Sequence, residues 1–335
     1  MNQPKSVRYV GIFCILLAVG LRFAAAVAWG SDTPIFQQPQ VLSLLLTDQT
    51  GRVPASTYTT HATTGRPSQT TAPVTTTQPP STAPAVPVFG PGKAVKITYS
   101  CDYRPDLSAL IAQPLNWALK GDDPTVLILH THGTESYTPT PDTAYKEYGG
   151  EYRTDDTAYN LISLGDRLAQ LLEQAGIGVI HDRTMHDKDD YLDAYSNARA
   201  AIQAHLKAHP SIRLVLDLHR DAAAYADGTQ WATSATVKGE KSAQLMFVVG
   251  TDAGGNTHPN WQENLSVAAK LQLLLEDTAP GITRPIDLRS QRFNQDLSAA
   301  ALIVEVGSAG NTHTEAMAAI APLAAAIIAL QYGSG

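Results

Sequence analysis

Three short segments of the 335-residue chain hold residue types that could do chemistry together: His132-Gly133-Thr134-Glu135, His219 in Asp217-Leu218-His219-Arg220-Asp221, and Glu305 in Val304-Glu305-Val306-Gly307. Two imidazoles and a carboxylate suit a borderline-soft dication that leaves its fourth position to water. A separate carboxylate beyond the ligand shell can then take that water's proton. These are the parts of a zinc hydrolase. The step from His132 to Glu135 puts a nitrogen and an oxygen donor on one tight loop. Alone, an H-x-x-E tetrapeptide is a weak signal, because chance produces it often and most surface His and Glu are simply solvated.

Each segment follows a short apolar run: Val126 to Leu129, Leu214 to Leu216, and Ala301 to Val304. Continuous apolar runs of this length predict parallel strands covered on both faces. Polar residues at the carboxyl ends of such strands are where open α/β sheets build their sites. Around them, Val95, Ile97 and Tyr99 alternate with polar residues as in an edge strand. Helical spacing over 158–175 stops at Gly176, the residue type expected beyond a helix C-terminus. A strand follows at 177–180, a helix at 191–208 ended by Pro210, a strand at 212–218 and another at 245–249. A helix from about Asn260 to Glu276, a strand ending at Glu305 and a helix over 315–330 close the chain. This succession predicts an α/β three-layer sandwich with a mainly parallel, twisted sheet, over a catalytic domain spanning 94–333.

The N-terminal third reads differently. Lys5 and Arg8 precede the apolar run 10–21, which Arg22 cuts short of the roughly 20 residues that span a bilayer comfortably. Residues 1–30 therefore read as a signal anchor, with Arg22 snorkelling and 23–29 completing the span, or as a signal peptide cleaved near the Ala24–Ala28 cluster. Either way the downstream domain lies outside the cytoplasm. Residues 31–49 form a short juxtamembrane segment, and 50–93 a Thr/Pro/Ser-rich linker too polar to build a core. Such a tether holds the domain away from the membrane surface. A net charge of -7, with no basic stretch interleaved with aromatics, argues against a nucleic-acid partner. Cys14 and Cys101 cannot make a disulfide framework, and Cys101 reads as a free thiol.

Seven blocks in order resemble the stage II sporulation protein P family of endospore-forming bacteria. They are His130 to Tyr137, His181 to Asp187, Asp217 to Asp221, Phe247 to Thr251, His258 to Trp261, Phe293 to Ser298 and Ile303 to Asn311. The resemblance implies a zinc-dependent N-acetylmuramoyl-L-alanine amidase with an additional endopeptidase activity, acting on peptidoglycan during engulfment. It also implies a membrane link and work beside the D and M proteins of the same sporulation stage. One departure is Ser308, where relatives often carry a second glycine after Glu-x-Gly, which reshapes the loop behind Glu305.

Under that resemblance His132 and His219 are zinc ligands and Glu135 is the third, with Asp156 competing because related amidases place an acidic ligand just before the first long helix. Glu305 becomes the general base, taking a proton from the attacking water and returning it to the leaving amine. Arg220 either clamps a stem-peptide carboxylate or stabilises the oxyanion. His130 reads as a strand-end residue bonding the loop, His181, His186 and His258 as supporting or structural, and His205 and His209 as suited to a helix C-terminus. His313 reads as a surface residue, and Tyr137 as either a substrate hydrogen-bonder or a packing residue. Two other functions fit the same residues: a zinc carboxypeptidase on stem peptides, and a silent peptidoglycan-binding scaffold.

Overall fold

Runs that are apolar on both faces become the middle of a seven-stranded sheet in the computed structural model, which describes residues 94–330 apart from 122, 149 and 150. The expected signal segment, juxtamembrane segment and linker lie outside the described residues. The strands are β1 (Ile97–Ser100), β2 (Val126–Leu129), β3 (Val179–His181), β4 (Leu214–Asp221), β7 (Leu245–Gly250), β8 (Ile286–Arg289) and β9 (Ala301–Ser308). Their spatial order is β1-β8-β7-β9-β4-β2-β3, so β1 is the edge strand its alternation predicts. Every pairing is parallel except β7 with β9, which is antiparallel. The sheet is thus two parallel blocks running in opposite directions, mixed yet mostly parallel.

Burial explains the composition of the runs. All four residues of β2 and all six of β7 are buried. One face is covered by α3 (Ala194–Ala208), whose Ala198 and Ile202 pack with Leu127, Leu129, Val215 and Ala301. The alternate residues Val126 and Ile128 are fully buried too, so the opposite face is also covered. There α2 (Leu161–Gln174), α5 (His313–Leu330) and α4 (Trp261–Thr278) pack in sequence, with α1 (Leu107–Ala112) against α4. Side-chain capping of a helix start is visible at α2, where the Asn160 amide oxygen accepts from the Ile162 N–H. That cap sets the start at Leu161, three residues beyond the start of the helical spacing, and Gly176 follows the C-terminus at φ +77°. Helix α5 is long and apolar enough to cross a membrane, but it is largely buried inside the domain, which is how a core helix of this composition behaves.

The elements that periodicity does not reveal are short: α1, β8, a 3-10 turn at Gln295–Leu297, and an antiparallel hairpin of β5 (Ser234–Val237) and β6 (Glu240–Ala243). The hairpin turns through Lys238 and Gly239, both at positive φ, as a two-residue turn between twisted strands requires.

Candidate active site

Strand register brings the three sequence segments together. His219 lies directly opposite Glu305 in the β4–β9 pairing, and Leu129 lies opposite Asp217 in the β2–β4 pairing. The chain leaving β2 therefore runs beside the end of β4. Asp217 fastens it there, accepting from the Thr131 N–H at 2.8 Å and the Thr131 hydroxyl at 2.6 Å. The His132–Glu135 turn closes by a Glu135 N–H to His132 carbonyl bond of 3.1 Å. Gly133 is needed in that turn, because a Cβ there would lie 2.9 Å from the Met185 backbone. Asp187 pins the turn from outside, accepting from the Thr134 N–H at 3.1 Å and the Thr134 hydroxyl at 2.6 Å. Residues 152–154 pair with the same loop through Ser136 N–H to Tyr152 O and Thr154 N–H to Thr134 O, both 2.8 Å.

Buried acids surround the two imidazoles. Glu135 Oε2 is 3.7 Å from His219 Nδ1 and accepts from the Arg220 N–H at 3.1 Å. On the other edge of the ring, His219 Nε2 is 3.1 Å from Asp217 Oδ1, close enough for an ion pair but outside hydrogen-bond geometry. The His132 ring meets the His219 ring at 5.4 Å and 81°. His132 Nδ1 stands 3.8 Å from Asp187 Oδ2 and has no hydrogen-bond partner, and Glu305 Oε2 is buried without one either. Burial works against a charged His219, yet the carboxylates of Asp217, Glu135 and Glu305 hold its pKa well above the ordinary value. Burial pushes His132 down to about 4, against the pull of Glu135, and pushes the Glu305 carboxyl up to about 8. Aromatic rings flank the imidazoles: Tyr191 stacks on His132 at 4.4 Å, and Tyr195 faces both His132 and His219.

Among the described residues no three His, Cys, Asp or Glu side chains already close around one point as ligands. The donor chemistry nevertheless fits a zinc ion. Buried carboxylates raise His219's affinity for a positive charge, and His132 Nδ1, without a hydrogen-bond partner among the described residues, is free to serve as a donor. The residues that could hold it are His132, Glu135 and His219.

Asp156 lies on the turn ahead of α2. It is exposed and its carboxylate accepts from the Ala158 N–H at 3.0 Å, a local turn bond ahead of α2. Arg220 is 2% exposed, with Nε donating to the Ser136 carbonyl at 2.9 Å and Nη2 to the Glu151 carbonyl at 2.6 Å. It ties the loop to β4, and two of its donors, Nε and Nη2, are taken by backbone carbonyls. Ser308 stays inside β9, its hydroxyl donating to the Asp221 carbonyl at 2.8 Å, and the positive φ is carried by Gly307. Tyr137 is fully buried with its hydroxyl on the Val306 carbonyl, so it is a packing residue. His130 contacts the Leu218 carbonyl and bonds His181 at 2.8 Å, and His181 reaches Asp166. His205 reaches Asp182, with His186 3.8 Å from the same oxygen. His313 is partly buried and bonds Ser163, so it is not the surface residue expected. Asp187, Arg153, Tyr191 and Tyr195 join the site without having been singled out. Asp187 lay within a family block, but nothing local marks the other three.

The family model for Stage II sporulation protein P (SpoIIP) matches residues 55–328. The Stage II sporulation protein P of Bacillus subtilis (strain 168) is 31% identical over 209 residues, 58% of this chain and 48% of that protein. The chain thus spans about half the length of that curated relative. Among solved structures, the CwlD amidase from Clostridioides difficile in complex with the GerS lipoprotein covers 63% of this chain and 98% of its own at 14% identity and a TM-score of 0.39. The N-acetylmuramoyl-L-alanine amidase AmiC2 of Nostoc punctiforme covers 62% and 94% at 12% identity and a TM-score of 0.36. With the match running over most of its length, the chain belongs to the Stage II sporulation protein P family.

Proposed function

We propose that this protein is a peptidoglycan hydrolase of sporulation, a zinc-dependent N-acetylmuramoyl-L-alanine amidase with endopeptidase activity on peptide cross-links. The observation that carries the reading is the adjacency of His219 and Glu305 on β4 and β9, with the His132 ring 5.4 Å from His219 and one Glu305 oxygen buried without a partner. A carboxylate with a buried, uncommitted oxygen beside two imidazoles is built to accept a proton, because leaving that oxygen unsatisfied costs stability that a structural role would not tolerate. His132, Glu135 and His219 would hold the zinc ion, which when bound polarises the amide carbonyl and lowers the pKa of water. Glu305 takes the proton of the attacking water and hands it to the departing L-alanine nitrogen. Asp217 and Asp187 hold the ligand-bearing segments in place, and Arg220 fixes the loop to the strand end.

The same reading places the domain in the cell envelope, tethered to the membrane through residues 1–93 and working on peptidoglycan beside the stage II D and M proteins during engulfment. Digestion of purified sacculi by the full chain tests it, with the released products identified by mass. Free stem peptides support the amidase and split cross-links the endopeptidase. Peptides trimmed only at their C-termini would replace the amidase with a carboxypeptidase, and intact sacculi would leave a binding module.

A further inference from the structure

We infer that Arg153, stacked on Tyr191 beside the His132–Glu135 turn, is a carboxylate-binding group that seats an acidic peptide beside His132. This carboxylate site rests on the peptidoglycan reading, since the stem peptides of that polymer carry free carboxylates close to the amide to be cut. Arg153 lies opposite Glu135 in a backbone bridge, which fixes its base next to the His132–Glu135 turn. Its guanidinium carbon sits 4.2 Å from the centroid of the Tyr191 ring, and that ring stacks on His132 at 4.4 Å and 19°. A cation, an aromatic platform and the imidazole therefore form one column.

The cation in that column is only loosely paired. Arg153 Nε is buried with no hydrogen-bond partner, and the nearest acid is Glu151, 3.8 Å from Nη2 on a side chain that is 74% exposed. Arg220 makes the contrast, because its Nε and Nη2 are spent on backbone carbonyls. Tyr191 remains 46% exposed and the Arg153 side chain 16% exposed, so a ligand can reach the column. A guanidinium presents paired N–H donors that match a carboxylate in plane, and stacking on a ring holds that plane still. A peptide carboxylate docked there sits one aromatic ring away from His132, which sets the amide within one or two residues of it over the imidazoles.

Binding is read without turnover, using the full chain carrying Glu305→Gln and two soluble probes: N-acetylmuramoyl-L-alanyl-D-glutamate and its diamide. The acid should bind tighter than the diamide by on the order of tenfold to a hundredfold, the worth of a charge-assisted bond. Adding Arg153→Met should erase that preference and leave diamide binding as it was, while Arg153→Lys should keep part of it, because charge remains and the planar fork is lost. Thermal melting of each variant shows whether the fold is intact. Equal binding of the two probes, failure to bind either, or a preference that survives in Arg153→Met overturns the assignment. If the acid preference depends on Arg153 but the parent leaves sacculi intact, the carboxylate site stands and the hydrolase reading falls. Sacculus digestion with no acid preference gives the reverse.

Discussion

Buried amides and buried ionisable groups are used in opposite ways in the two halves of the sheet, although His258, after β7, is also buried with both ring nitrogens unpartnered. In the β1-β8-β7 half, buried amides are fully paired. Gln295 accepts from the Gly250 N–H and donates to the Val248 carbonyl, and Gln272 accepts from the Lys96 backbone N–H and donates to the Lys96 and Arg284 carbonyls. Asn264 likewise joins the Gln295 carbonyl to the Ala301 N–H. In the β9-β4-β2 half, ionisable groups are buried and left open, with His132 Nδ1 and Glu305 Oε2 unpartnered and His219 flanked by acids on both edges. Buried amides that satisfy backbone groups are structural glue, whereas buried ionisable groups with spare lone pairs await something from outside.

Breaking the open half should cost activity and not stability. Glu305→Gln keeps the volume and removes the basic oxygen, so sacculus digestion should fall by about 10² to 10⁴ while the melting temperature holds or rises. An equal loss of stability would make Glu305 a structural carboxylate. Next in size, Asp187→Ala removes both bonds that pin Thr134, and the loosened His132 turn should lower metal affinity by roughly 10- to 100-fold in a chelator competition. Unchanged affinity would show that the turn holds itself.

The closed half should respond the other way. Gln295→Leu orphans the Gly250 N–H and the Val248 carbonyl, a cost of about 1–3 kcal/mol for each group, read in denaturant unfolding. Digestion per folded molecule should not change, and a fall would couple β7 to the site. The smallest effect concerns Asp296, bound through two oxygens by Arg199 at 2.9 and 2.8 Å. Burial opposes its charge, but the Arg199 bonds and the charges of Arg199 and Arg292 hold its pKa below the ordinary 3.8. A depressed carboxylate contributes stability that is present above that range and lost as pH falls through the folded value. Asp296→Asn should therefore destabilise by about 1 kcal/mol at pH 7, with the gap closing in acid. A gap that persists in acid would mean that shape rather than charge matters there.

The same contrast explains what could be read from the residues alone. Strands β2, β4 and β9 are legible because burial on both faces demands continuous apolar runs, and the polar residues that end them mark the cleft. Helix α2 is legible through its spacing and Gly176. Strand β8 and the β5–β6 hairpin are not, since four-residue segments such as Ile286-Asp287-Leu288-Arg289 carry too little pattern. The partners of the arginines are also invisible in sequence. Arg220 sits in the most site-like segment yet is consumed by carbonyls 69 and 84 residues away, while Arg153 becomes exposed to the cleft only through pairing with Glu135. Asp156 and Glu135 look alike until burial separates them, at 4% exposure for Glu135 against an open turn for Asp156.

The central claim is that the open half is a zinc site built from His132, Glu135 and His219, and the most direct test is metal content of the purified full chain by atomic emission. One zinc per chain is expected for the parent and for Asp156→Ala, with depletion in His132→Ala, Glu135→Ala and His219→Ala, each checked for an intact fold. Full zinc in the His219→Ala protein, or loss of zinc confined to Asp156→Ala, would contradict it.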